Sequence, residues 1–338
     1  MGTTYRGFEK KHKLLKLLGK EGTLHDVINE VNDEKNKFWM GMRIKNTAMI
    51  YYMGGKILEI SPTGLLSFDN NYIEKEERNN FPPNFNDVND WLSKKEKIKE
   101  AVYKRQLGER EKVVQQEIMI NNNKNGLSDW FLVDMEYSSV KNAKKYGRFD
   151  MIALSREKNE RGKHTIGIIE LKAGIGAIDG VKAKRDSNDK KTIIGVKERG
   201  SGIDGHIKKV YDFLYDSNAN TNLENLRREI ATIISNYHDL GLNYSMPKIN
   251  EEDISSEPQD VKFIIMCADI TPAEKKETIK KIRRAIFENE PKASKLCLES
   301  KFAWGSSFDK KFSNLNILLS IVDKEREIKN DDLIKLKK

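Results

Sequence analysis

Apolar residues recur along this chain with two different periods, and the changes of period mark the elements. From about residue 8 to 32, Leu14, Leu15, Leu17 and Leu18 form the apolar side of one or two short helices. The texture then changes. Phe38 to Ile44, Thr47 to Met53, Lys56 to Ile60 and Leu65 to Phe68 are short and β-rich. Gly54-Gly55 separates two of them as a hairpin turn would, and Pro62 and Gly64 mark the next turn. The pattern predicts a small antiparallel meander.

The stretch from Asn79 to Asn89 is rich in Asn and Pro and reads as a linker. Helix follows from about Trp91 to Asn122, with a break at Gly108. Strands are expected at Trp130 to Val140, Arg148 to Ser155 and Thr165 to Ala173. A long polar loop then runs from Gly174 to Gly200. Helices return at Ile203 to Tyr215 and Leu223 to Tyr237, with a buried-type strand at Val261 to Ala268. Thr271-Pro272 opens a further helix reaching Asn289, proline being suited to a first turn. Weaker strands are expected around Phe302 and at Ile317 to Val322. The order helix, three strands, helix, strand, helix defines an α/β (α+β) class. The expected domains are an N-terminal α+β unit (1–80), a linker (81–90) and a second domain (91–338).

Composition narrows this only modestly. The chain has 338 residues, with 61 Lys plus Arg against 52 Asp plus Glu, a net +9 that suits an anionic partner such as nucleic acid. Cys267 and Cys297 lack metal-type spacing, and Cys267 sits in an apolar run as a small core residue would. The polar, basic first residues do not resemble a signal peptide, and Arg6 breaks the myristoylation pattern. No apolar run approaches the roughly 20 residues needed to cross a bilayer. A cytoplasmic protein with no membrane partner is therefore expected.

Candidate chemistry lies in two apolar strands that carry charge. Ile166 to Ala173 reads Ile-Gly-Ile-Ile-Glu-Leu-Lys-Ala, so Glu170 and Lys172 share one face of a strand built to be buried. Burying an ion costs several kcal/mol even after relaxation, so these charges need a site or a sheet end. The preceding strand, Arg148 to Leu154, carries Asp150 amid apolar residues. If the two strands pair as a hairpin, Asp150 stands beside Glu170. Two carboxylates and a lysine suit phosphodiester hydrolysis, the carboxylates as hard ligands for Mg²⁺ and the ammonium beside the attacking water.

Asp150 followed by Glu170-Leu171-Lys172 resembles the PD-(D/E)XK nuclease superfamily, although Phe149 stands where its naming proline would be. The resemblance implies a restriction-endonuclease-like mixed sheet flanked by helices. It implies a Mg²⁺-dependent endonuclease (with Mn²⁺ able to substitute) acting on nucleic acid, DNA foremost, in restriction or phage defence. Asp150 and Glu170 would bind the metal and Lys172 would assist the water. By the same resemblance, Glu117 on the preceding helix, which shares an apolar stripe with Val113 and Ile120, would stand near the metal; the alternative is a surface glutamate.

Several further residues carry two readings each. Ser201 and Asp204 fit a capping box, and the same helix start can hold a phosphate. His206 is a packed histidine or a nucleic-acid contact. In the polar loop, Lys182, Lys184, Arg185, Lys190, Lys191, Lys197 and Arg199 outnumber Asp179, Asp186, Asp189 and Glu198. Such a loop grips a phosphate backbone or is simply solvated. Trp39, Tyr51, Tyr52 and Phe68 are core aromatics or a base-stacking surface. At the level of function, the competing classes are a non-catalytic nucleic-acid-binding module and an assembly subunit whose charges are structural. A homo-oligomer, or a partner bound through the N-terminal unit, is compatible with all three.

Overall fold

The computed structural model describes residues 5–302, apart from 82, 126–128, 139–142, 179–180, 186–192, 199–201, 269 and 272. The chain is mixed α+β. Helices α1 (Lys13–Leu18) and α2 (His25–Asn32) precede a five-stranded antiparallel sheet. Its strands β1 (Trp39–Arg43), β2 (Thr47–Tyr52), β3 (Gly55–Ile60), β4 (Leu66–Ser67) and β5 (Asn84–Phe85) lie in chain order, the expected meander. The β2–β3 turn is Met53-Gly54, both at positive φ, and Gly55 already pairs with Tyr52.

Helices α3 (Val88–Gln106) and α4 (Arg110–Asn125) are separated around Gly108 as expected. Next come β6 (Trp130–Tyr137), the short α5 (Ala143–Tyr146), β7 (Phe149–Lys158) and β8 (His164–Ala173). β6, β7 and β8 pair antiparallel. The polar segment after β8 is not a loop throughout: β9 (Val181–Arg185) and β10 (Ile193–Glu198) form an antiparallel pair. Val181 and Ala183 alternate with lysines there, a strand period that the charges obscure. Asp179, Asp186, Asp189, Lys190, Lys191, Arg199 and Ser201 lie outside the described residues.

Helices α6 (Ile203–Tyr215) and α7 (Ala219–Asp239) lead to β11 (Lys262–Ala268), then α8 (Lys275–Glu288), α9 (Glu290–Ala293) and β12 (Cys297–Phe302). The second sheet has the order β12-β11-β8-β7-β6, with β11 parallel to both β8 and β12. α8 starts a few residues later than expected, after a turn in which Thr271 N donates to Glu274 Oε2 (2.9 Å) and Glu274 N to Thr271 Oγ1 (3.4 Å). The expected strand at Ile317 to Val322 lies outside the described residues.

Helices cover both faces of this sheet. On one side Ile118 and Met119 of α4 pack with Ile169, Leu171, Ile264 and Met266. On the other, Ile207 and Val210 of α6 and Ile230 of α7 pack with Ile168, Phe263 and Ile265. Burying each such side chain stabilises the fold by roughly 1.5–3 kcal/mol before entropy is counted.

The stretch expected as a linker (81–90) does not separate two bodies. Phe81 and Phe85 are buried, β5 pairs with β4, and α3 starts at Val88 with Asp87 as its cap. Phe38, Leu58 and Trp91 share one continuous core with Ile168 and Phe263. Trp39 and Phe68 are core residues rather than a stacking surface, and Trp39 packs in the same cluster as Ile118 of α4. Cys267 is buried, as its apolar run suggests.

Polar contacts tie the N-terminal segment to the second sheet. Arg6 Nη1 and Arg43 Nη1 each reach one carboxylate oxygen of Asp134 on β6 at 2.5 Å. Arg6 Nη2 donates to Glu136 O (3.1 Å) and Arg43 Nη1 to Met135 O (3.0 Å). Phe8 N donates to the Asn236 side chain of α7 (2.6 Å), whose amide returns a bond to Phe8 O (3.2 Å).

Candidate active site

The charges on β7 and β8 meet at one end of the second sheet. Met151 pairs with Ile169, so the antiparallel register sets Asp150 opposite Glu170. Glu170 and Lys172, two apart on β8, project to the side covered by α6. The parallel partner β11 ends beside them, with Cys267 level with Lys172 and Ala268 with Ala173. The site therefore lies at the carboxyl ends of two parallel strands, where an open α/β sheet leaves a crevice for ligands. Gly174, at φ 80°, turns the chain out of β8 immediately afterwards, its N–H donating to Ala268 O at 2.8 Å.

Each carboxylate is held. Asp150 Oδ2 accepts from the backbone N–H of Leu171 at 2.7 Å, and the Gln115 side chain of α4 donates to the Asp150 carbonyl. One oxygen of Glu170 pairs with the Lys172 ammonium, and the other lies 2.6 Å from His206 Nδ1 on α6. Glu170 is only 1% exposed and Lys172 5%, whereas Asp150 is partly exposed and forms the rim.

Burial dominates the protonation behaviour. It pushes Glu170 up to about 7 despite the pull of Lys172. Asp150 is raised well above the carboxylate range, first by burial and then by repulsion from Glu170. Burial depresses His206 to about 4, aided by the Lys172 and Lys209 ammonium groups. For Lys172 burial acts downward, but attraction to Glu170 and Asp150 outweighs it and the ammonium is favoured. Two carboxylates are thus raised in the same place, chiefly by their removal from water, the pattern expected of a desolvated site.

The sequence-predicted residues divide clearly. Asp150, Glu170 and Lys172 are together. His206 is with them too, but it is buried, so a surface contact to nucleic acid gives way to a place against Glu170. Glu117 is not the α4 acid turned to this site. It lies about 160° round the helix from Gln115, which touches Asp150. Glu111, one turn before Gln115, is the acid whose field reaches Asp150, Glu170, Lys172 and His206. The i, i+4, i+7 stripe pointed to the wrong arc because both arcs of α4 are covered: Gln116 donates to Lys37 O (2.9 Å) and Tyr51 O (3.0 Å) of the meander side. Lys182, Lys184 and Arg185 fall on β9, reached nine residues after Lys172. The α6 cap is Gly202, and Ser201 of the expected capping box lies outside the described residues.

Lys209 and Glu111 went unread in the sequence. Lys209 is the more legible afterwards: it is one turn beyond His206 and lies 3.4 Å from where a Cβ on Gly147, just before β7, would stand.

Among the described residues, no group of three or more His, Cys, Asp and Glu side chains is arranged to hold a metal ion. Magnesium commonly takes one or two carboxylates and keeps its waters, so the Asp150–Glu170 donor set fits it. No helix among the described residues is long and apolar enough to cross a membrane. No protein-family model, no curated protein and no solved structure matches the chain.

Proposed function

We propose that this chain is a magnesium-dependent nuclease of the PD-(D/E)XK, restriction-endonuclease-like kind, hydrolysing phosphodiester bonds in nucleic acid. One observation carries the reading: Asp150 stands across the β7–β8 pair from Glu170, and Lys172 emerges from the same face of β8 to meet it. The sheet order β6-β7-β8-β11, antiparallel and then parallel between helical layers, supports it.

In this reading Asp150 and Glu170 would hold Mg²⁺, which when bound polarises the phosphate and acidifies a water. Lys172 sets an ammonium beside the attacking water and offsets charge growing on the phosphate oxygens. His206 covers the Glu170 carboxylate from the α6 side and keeps bulk water off it. Asp150, at the rim, is the carboxylate that substrate meets first. Duplex DNA is the foremost substrate, and restriction or phage defence the foremost setting.

The test is nicking of supercoiled plasmid by purified protein in Mg²⁺ or Mn²⁺, abolished by EDTA and by Lys172→Ala. Nicking that survives Lys172→Ala removes the assignment.

One observation favours a second reading. Glu170 is nearly sealed from solvent and one of its oxygens is already paired with the Lys172 ammonium, as in a structural ion pair. That describes a non-catalytic nucleic-acid-binding or assembly subunit on the same fold. It predicts that Asp150→Ala weakens folding, that EDTA changes nothing, and that no plasmid is cut in either metal.

A further inference from the structure

Helix α8 is divided sharply around its circumference. Thr278 and Ile282 are buried, with Ile279, Ala285 and Ile286 partly buried against the core. Lys276, Lys280, Arg283 and Arg284 are exposed. At 100° per residue these four occupy an arc of about 100°, with Glu277 at its edge and no acid within it. From Lys276 to Arg284 the stripe runs about 12 Å.

Its place in the fold gives this stripe a direction. α8 follows β11, whose carboxyl end lies beside Glu170 and Lys172, so its first turn starts at the site end of the sheet. It packs on α6, the helix that brings His206 and Lys209 to the site. α9 is fastened to the same helix, Lys292 Nζ lying 3.1 Å from Asp212.

We infer that the exposed face of α8 is a docking surface for the phosphate backbone of double-helical nucleic acid, leading one strand to the Asp150–Glu170 end of the sheet. The binding itself follows from the charge pattern, while the strand's destination rests on the nuclease reading above. At about 3.4 Å of axial rise per nucleotide, a 12 Å stripe faces three to four phosphates of one strand. A bilayer surface is the other anionic partner for a basic helix, but interfacial helices insert an apolar face. Here that face is used up against the core, leaving charge alone.

The test is binding of the full chain to a fluorescent 25-base-pair DNA duplex in EDTA, across a salt series. Lys276→Gln/Lys280→Gln/Arg284→Gln is compared with the unsubstituted chain and with Asp150→Asn. At 0.1 M salt the triple variant is expected to bind at least about tenfold more weakly, and its log K against log[salt] slope to be shallower by about 2.7, or 0.9 for each phosphate no longer neutralised. Asp150→Asn should keep the slope. An unchanged slope in the triple variant overturns the inference, as does failure of the unsubstituted chain to bind duplex. Loss of binding to phosphatidylserine vesicles, with duplex binding intact, overturns it in favour of a membrane. Shallower binding without any plasmid nicking leaves this surface standing and removes the nuclease reading alone. All three substitutions are at exposed positions, so an unchanged thermal melt confirms that the variant is folded.

Discussion

His206 of α6 closes over Glu170 of β8, its Nδ1 2.6 Å from a carboxylate oxygen, and the pair brings two opposite pKa displacements into one buried contact. Glu170 rises from 4.5 to about 7, so the folded state holds its proton more tightly. Its contribution to stability is complete below about 4.5 and is lost as pH rises through 7. His206 falls from 6.5 to about 4, so its contribution is complete above 6.5 and is lost as pH falls through 4. Between about 4.5 and 6.5 the two slopes oppose one another.

Removing either partner should therefore expose the other's slope. In metal-free buffer, His206→Gln should lose stability as pH rises from 4.5 to 7, and Glu170→Gln should gain it from 4 to 6.5. Each change should be a few kcal/mol at most, at 1.36 kcal/mol per pKa unit. Urea midpoints measured across this range check it, and parallel curves for both variants would refute the opposition.

Asp150→Asn should cut plasmid nicking by at least about a hundredfold, the scale on which a single preorganised charge contact acts in catalysis. The same variant should fold at least as well as the unsubstituted chain, because it removes a carboxylate repelled by Glu170. Cleavage time courses beside thermal melts separate the two effects. A large fall in melting temperature would point instead to the structural reading of these charges.

Asp134→Ala should destabilise the fold by about 3–5 kcal/mol, since Arg6 and Arg43 would both be left buried without their counter-ion. The loss should be read in urea denaturation and should be independent of added metal.

Gly54→Ala tests how the meander meets α4. Gly54 is at φ +78°, and a Cβ there would stand 2.6 Å from Lys112 Cβ and 2.7 Å from its backbone carbonyl oxygen. Gly54 N also donates to Gln116 Oε1 at 2.6 Å. The substitution should cost more than about 1 kcal/mol, measured by denaturation, because strain and displaced backbone add together.

Legibility in the sequence followed the range of the interactions. α6 was expected at Ile203 to Tyr215 and spans those residues, because its apolar spacing is local and regular. β8 was legible as a run of buried apolar residues, and its two charges stood out for that reason. The β9–β10 pair is hidden in the sequence because Lys182, Lys184 and Arg185 crowd around Val181 and Ala183. The supposed linker was misread because its Asn and Pro residues outweigh Phe81 and Phe85, which do the packing. Nothing local joins Arg6 to Asp134 or Phe8 to Asn236, and no periodicity could have paired them. Glu111 and Lys209 stayed hidden likewise: which arc of a helix meets a site is settled by packing, and α4 is covered on more than one side.

The bonds from Phe8 to Asn236 also bear on how the molecule is made. A ribosome releases this polypeptide from its amino end, yet these two bonds cannot close until α7, more than two hundred residues later, has emerged. The segment around Phe8 must wait without its α7 partner until then. A translation stall before that point would leave the early apolar surface uncovered, open to chaperones and proteases alike.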